Sequence, residues 1–140
     1  MSKMRKVTAV LCLLAVMLVP CQAVFASEPA QYEVSPRMTY IADYSIDFGI
    51  SGTTAYVDVM VNGHVLDATK AKVIAELQVK SGNSWIPVAI WTDEQNYYKA
   101  RVDETHSVVS GHTYRVKGTF MVWEGSAYET VYDFSDTITA

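Results

Sequence analysis

From residue 38 onward the chain alternates. Met38, Tyr40, Ala42, Tyr44, Ile46, Phe48 and Ile50 share one parity, and Thr39, Ile41, Asp43, Ser45 and Asp47 the other. Successive side chains of a strand point to opposite faces, so this period of two predicts a half-buried strand. It is long enough to bend or change sheets partway, and Ser51-Gly52-Thr53 ends it. Ala55, Val57, Val59 and Val61, set against Tyr56, Asp58 and Met60, predict a second strand. Asn62-Gly63 stops it, a dipeptide that readily takes the positive φ of a tight turn. Residues 64–69 read as a connection between sheets. A third strand has Ala71, Val73, Ala75, Leu77 and Val79 on one face and Lys72, Glu76, Gln78 and Lys80 on the other, before a hairpin loop at 81–84. Residues 85–91 are apolar on both parities, the pattern of a strand covered on both faces. Pro87 cuts against that, since proline belongs at an edge or a bulge. Tyr98, Ala100 and Val102 alternate with Lys99, Arg101 and Asp103, and residues 113–123 and 127–138 form a last pair around Glu124-Gly125-Ser126. No stretch repeats apolar residues at helical spacing. About seven strands and no helix predict an all-β fold, a two-sheet antiparallel sandwich.

The chain before residue 38 has a different character. Lys3, Arg5 and Lys6 precede an apolar run at 7–19, Pro20 breaks it, and Ala23-Val24-Phe25-Ala26 supplies a small-x-small site. A basic start, a short apolar middle and such a site predict a cleaved signal peptide over residues 1–26 and a secreted, extracellular product. The run falls short of the roughly 20 apolar residues of a membrane span. Residues 27–37 read as a short leader with two prolines, and 38–140 as a single domain. Both cysteines, Cys12 and Cys21, fall within the signal, so the exported chain has no disulfide, thiolate nucleophile or cysteine metal site. Pro20 stands where a lipidated Cys21 would need a small residue.

Charge narrows the partners. Removing Lys3, Arg5 and Lys6 leaves eight basic residues against fifteen acidic ones, about −7 for the exported chain. That balance disfavours nucleic acid and anionic membrane surfaces. All nine tyrosines and three tryptophans lie beyond the signal, aromatic mass expected to fill a core that has no disulfides.

Val108-Val109-Ser110-Gly111-His112-Thr113-Tyr114 resembles the tyrosine corner of fibronectin type III-like and immunoglobulin-like sandwiches, with Ser110 where that pattern usually has proline. The resemblance implies that the Tyr114 hydroxyl bonds back to upstream backbone and pins a crossing between sheets. A wider likeness runs through residues 77–85 (LQVKSGNSW), 88–91 (VAIW), 111–118 (GHTYRVKG) and 129–131 (ETV). On these the chain is similar to a family of short secreted proteins of Gram-positive, clostridia-like bacteria. That likeness implies a compartment and a source but no catalytic residue.

No constellation specifies a reaction. His64, His106 and His112 sit near expected turns without a metal-ligand spacing. Gly49-Ile50-Ser51-Gly52 and Gly125-Ser126 lack the strained G-x-S-x-G nucleophile turn. Asp93-Glu94 and Asp103-Glu104 are adjacent acids in expected loops, where solvation is the ordinary role. Asp93, Glu94 and Asn96 offer oxygens of the kind calcium takes, without an EF-hand loop. No cofactor is expected. Tyr97, Trp123, Tyr128 and Tyr132 are the candidate ligand-contacting aromatics, as an exposed strip that stacks on sugar rings or anchors a protein; their alternative role is in the core or in cross-strand pairs. The last strand, rich in Thr and Tyr, is a candidate edge for strand addition. The expected function is thus a non-enzymatic extracellular module binding a protein or glycan. The alternatives are a small hydrolase with a carboxylate site, or a secreted toxin or antagonist.

Overall fold

The structure is a computed structural model and describes residues 38–140. The expected signal peptide and leader, with both cysteines, lie outside the described residues. Eight strands follow in order: β1 (Ile41–Ser51), β2 (Thr54–Gly63), β3 (Lys70–Ser81), β4 (Ser84–Gln95), β5 (Lys99–Ser107), β6 (Thr113–Glu124), β7 (Ala127–Phe134) and β8 (Ile138–Thr139). All pairings are antiparallel. One sheet is ordered β1-β2-β5; the other is ordered β4-β3-β6-β7, with β8 also on β6. The two layers enclose one core, so the chain is an all-β sandwich of the immunoglobulin-like and fibronectin type III-like kind. In an immunoglobulin constant-type sandwich the fourth strand joins the layer of the first, second and fifth. Here β4 pairs with β3 instead, which widens the second sheet and makes β4 one of its edges.

Valine and alanine make up most of the buried core. Val57, Val59 and Val61 of β2 face Val73, Ala75 and Leu77 of β3 and Val116, Phe120 and Val122 of β6. Among the described aromatic residues only Phe120 and Tyr114 are buried. The expectation of an aromatic core holds in part: Tyr114 and Phe120 are buried in it, and Tyr40, Tyr44, Phe48 and Trp91 pack against it part-buried. Two long sheets with alternating β-branched side chains close the rest of the interior without large rings, which leaves Tyr56, Tyr97, Tyr128, Tyr132 and Phe134 exposed. Gly118 makes room for the largest of the buried side chains: a Cβ there would lie 2.6 Å from the Phe120 ring. Tyr44 stacks on Phe120 at 4.4 Å between centroids, and its hydroxyl donates to Asp133 on β7.

Several local expectations change. Ile41, on the outward parity of the first run, is buried, and Ala42 is exposed. The register slips between Ile41 and Asp43, so a β-bulge flips the alternation at the start of β1. Gly63 does not adopt positive φ. It is required for space, because a Cβ there would lie 2.6 Å from Ala68 Cβ and 2.7 Å from Val122 Cγ1. The strand at 85–91 is not covered on both faces. It is an edge strand, with Ile90 58% exposed and Ile86 and Val88 also open. Pro87 lies beside a slip in the β3–β4 register, so one ladder donor is missing where the ladder is already broken. The final run divides in two: Ser135 interrupts it, its N–H donating to Val116 O and its hydroxyl accepting from Val116 N–H.

The corner before β6 has the geometry its sequence implies. Tyr114 is 3% exposed, and its hydroxyl accepts from Val109 N–H at 2.8 Å. Gly111, at φ 85°, turns the chain between them. At the other end of the sandwich, Thr69 ties the β2–β3 connection to the β6–β7 turn. Its N–H and hydroxyl donate to Trp123 O, and the hydroxyl accepts from Gly125 N–H. The Glu129 carboxylate of β7 accepts the backbone N–H groups of Thr39, Tyr40 and Ile41, which fixes the entry to β1.

Candidate binding face

With one parity of β3, β6 and β7 committed to the core, the other parity forms the outer face of the larger sheet. Register aligns it in rows: Tyr128 and Lys70 flank Trp123, Tyr132 and Ile74 flank Thr119, and Phe134 and Glu76 flank Lys117. Further along, Gln78 lies between Arg115 and Pro87, and Lys80 opposes Trp85. Tyr128 (59%), Tyr132 (62%) and Phe134 (46%) are the exposed rings of this face.

Cations lie over the rings. Lys70 Nζ is 4.1 Å from the Trp123 centroid and 3.2 Å from a Glu94 carboxylate oxygen. Trp123 in turn meets Tyr128 at 5.7 Å. The Arg115 guanidinium sits 4.3 Å from Trp85 and 4.2 Å from Phe134. Its Nε donates to Gln78 Oε1, and Gln78 Nε2 donates to Glu76 Oε1. Lys117 Nζ is 5.2 Å from the Tyr132 centroid. Each such contact contributes about 0.5–1 kcal/mol at an exposed site. Their larger effect is to hold rings and charges in fixed positions across the sheet.

Three of the four candidate aromatics, Trp123, Tyr128 and Tyr132, share this face. Tyr97 does not. It lies in the β4–β5 connection, its ring 4.3 Å from that of Tyr98. Its hydroxyl is held above the ordinary tyrosine value, first by a hydrogen bond with Tyr98. Sequence reasoning missed Trp85, Phe134, Arg115, Lys70 and Lys117 as members of the face. The signal was present: the alternation that buries Val116, Phe120 and Val122 puts Arg115, Lys117 and Trp123 outside, and Phe134 shares parity with Tyr128 and Tyr132.

The remaining candidates do not converge. His64 and His112 are exposed in connections, and His106 on β5 meets Trp91 edge-on at 6.1 Å. Asp93 and Glu94 lie on β4 rather than in a loop, and point to opposite faces. Asp93 accepts from Gln95 Nε2 and from Arg101 N–H, while Glu94 pairs with Lys70. The calcium set Asp93, Glu94 and Asn96 is therefore not brought together. Among the described residues no three His, Cys, Asp or Glu side chains are grouped to hold a metal ion.

The smaller sheet has a contrasting outer face. Asp47, Asp58 and Asp103 stand directly opposite one another on β1, β2 and β5. They border an open hollow of about 290 Å³ that Gly49 and Tyr56 also line. Like charges in direct opposition are unfavourable, and Arg101 offsets them. Its Nε and a terminal nitrogen grip both Asp58 oxygens, and the same terminal nitrogen is 3.8 Å from Asp103. The Asp58 carboxyl is accordingly held below the ordinary range, first by the Arg101 hydrogen bond, which outweighs the opposing effect of burial, and further by the charges of Arg101 and Lys99.

No protein-family model matches the chain, and no curated protein matches it.

Proposed function

We infer that the protein is a secreted, non-enzymatic module that recognises a protein or glycan outside the cell through the outer face of its larger sheet. The observation that carries this reading is the placement of Tyr128, Tyr132 and Phe134. They are open to solvent on a sheet whose core is complete without them, beside cations held by neighbouring rings. Large exposed apolar side chains grouped on one surface mark interaction sites. The signal-peptide signature supplies the extracellular setting.

Asp58 argues in the same direction. A general acid must keep its proton near neutral pH, which requires a carboxyl pKa raised by burial or like charge. Arg101 drives Asp58 the other way.

The test is a binding screen of the purified protein against a glycan array and against extracellular proteins of its source, alongside Tyr128→Ala/Tyr132→Ala. Binding that the double variant loses while its unfolding transition is unchanged is the expected result. Hydrolysis of a glycan or peptide panel, abolished by Asp58→Asn, would overturn the reading.

A further inference from the structure

Charge on this molecule is segregated. Setting aside Lys3, Arg5, Lys6, Arg37, Glu28 and Glu33 leaves seven basic and thirteen acidic residues in 38–140, a net charge of −6. Five of those seven cations, Lys70, Lys72, Lys80, Arg115 and Lys117, lie on the outer face of the larger sheet, with only Glu76 and Glu94 among them. That face is therefore net +3 on an otherwise acidic domain. The smaller sheet's outer face carries Asp43, Asp47, Asp58 and Asp103 against Lys99 and Arg101, a net −2.

The positive face is also long and flat. At about 3.3 Å per residue, Lys70 to Lys80 spans about 33 Å along β3, and Tyr128 to Phe134 about 20 Å along β7. The exposed rings follow β7, and the cations follow β3 and β6. An occupant that satisfies both is extended, presents apolar faces to the rings at intervals and carries negative charge at its side.

We propose that this face binds a uronic-acid polysaccharide, whose sugar C–H faces stack on Tyr128, Tyr132 and Phe134 and whose carboxylates meet Lys72, Lys80 and Lys117. The inference rests on the recognition reading above and gives it a ligand class. A polyol phosphate has no ring face to stack. A sulfated glycan carries sulfates besides its carboxylates, a denser charge than a net +3 face on a −6 domain accommodates, and single-stranded nucleic acid is the competing polymer that the test below separates. Carboxylates set beside the ring faces of one extended chain match cations on β3 and β6 beside rings on β7.

The experiment is isothermal titration of the purified protein with polygalacturonate, with its fully methyl-esterified form, with heparin and with an oligo-dT strand, each at 20 mM and 200 mM salt. The wild type should bind polygalacturonate at low salt, weaken several-fold at 200 mM because exposed charges are screened, and bind the neutral ester at least about ten-fold less tightly. Lys117→Gln and Tyr132→Ala should each weaken binding by about ten-fold, whereas Lys99→Gln, on the opposite sheet, should not. Equal binding of the neutral ester overturns the anionic assignment and leaves the recognition reading intact. Tighter binding of heparin or oligo-dT overturns it in favour of those polymers. Failure to bind any of the four overturns it too, and the recognition reading then stands or falls on whether the Tyr128→Ala/Tyr132→Ala variant loses the partners found by array.

Discussion

At the residue scale, two side chains concentrate the electrostatic and hydrogen-bond logic of the molecule. The Tyr114 hydroxyl supplies the acceptor for Val109 N–H, in a turn with no ladder partner for it. Tyr114→Phe keeps the ring and removes the acceptor, so it should lower unfolding free energy by about 1–2 kcal/mol, read from urea denaturation with an unchanged m-value. Asp58 shows the reverse economy: its carboxylate is worth most when ionised, because Arg101 grips it. Its folded pKa is depressed, so this contribution is present above the ordinary carboxylate value and is lost as pH falls through the depressed one. In Arg101→Gln the Asp58 carboxyl should titrate nearer the ordinary range by NMR, and the acid limb of stability attributable to the pair should flatten. An unmoved Asp58 titration would show that Arg101 is not its cause. The pair is open to solvent, so its contribution at neutral pH is small.

At the element scale, the strand pattern was legible because one face of each central strand is buried along nearly all of its length. Val57, Val59 and Val61, and Val116, Phe120 and Val122, leave a period of two that admits one assignment. What was not legible followed from pairing rather than periodicity. Ile86, Val88 and Ile90 look like a buried strand because nothing in an isolated strand says which neighbour it gains, and β4 gains only β3. Pro87 was the sole local sign of an edge. The bulge at Ala42 was illegible for a related reason, since both Ile41 and Tyr44 are apolar and the slip between them depends on the partner strand. If β4 is an edge with an open outer face, Ile90→Lys should change unfolding free energy by no more than about 0.5 kcal/mol in thermal or urea melts. A loss of several kcal/mol would mean that Ile90 is covered.

At the scale of the whole molecule, the sandwich presents two unlike faces. The smaller sheet carries the aspartate row held by Arg101, and the larger carries rings and cations that hold one another. The candidate face was half legible. Trp123, Tyr128 and Tyr132 stand out as aromatics, but their companions Arg115, Lys70 and Trp85 come from β6, β3 and β4, and only the β4-β3-β6-β7 order sets them side by side. The same order explains why Tyr97 stands apart, since it belongs to a connection and not to a strand of that sheet. Core composition follows from this division. Valines close most of the interior, and Tyr128, Tyr132 and Phe134 remain exposed on the outer face.

The most direct test of that division is a ¹⁵N-labelled NMR titration of the protein with an oligogalacturonate. The account predicts shifts confined to the Trp85 and Trp123 indole N–H groups and to the amides of residues 115–123 and 128–134, with the amides around Asp47, Asp58 and Asp103 unmoved. Shifts centred on that aspartate row would contradict it, and no shift at either sheet would overturn the uronic-acid assignment.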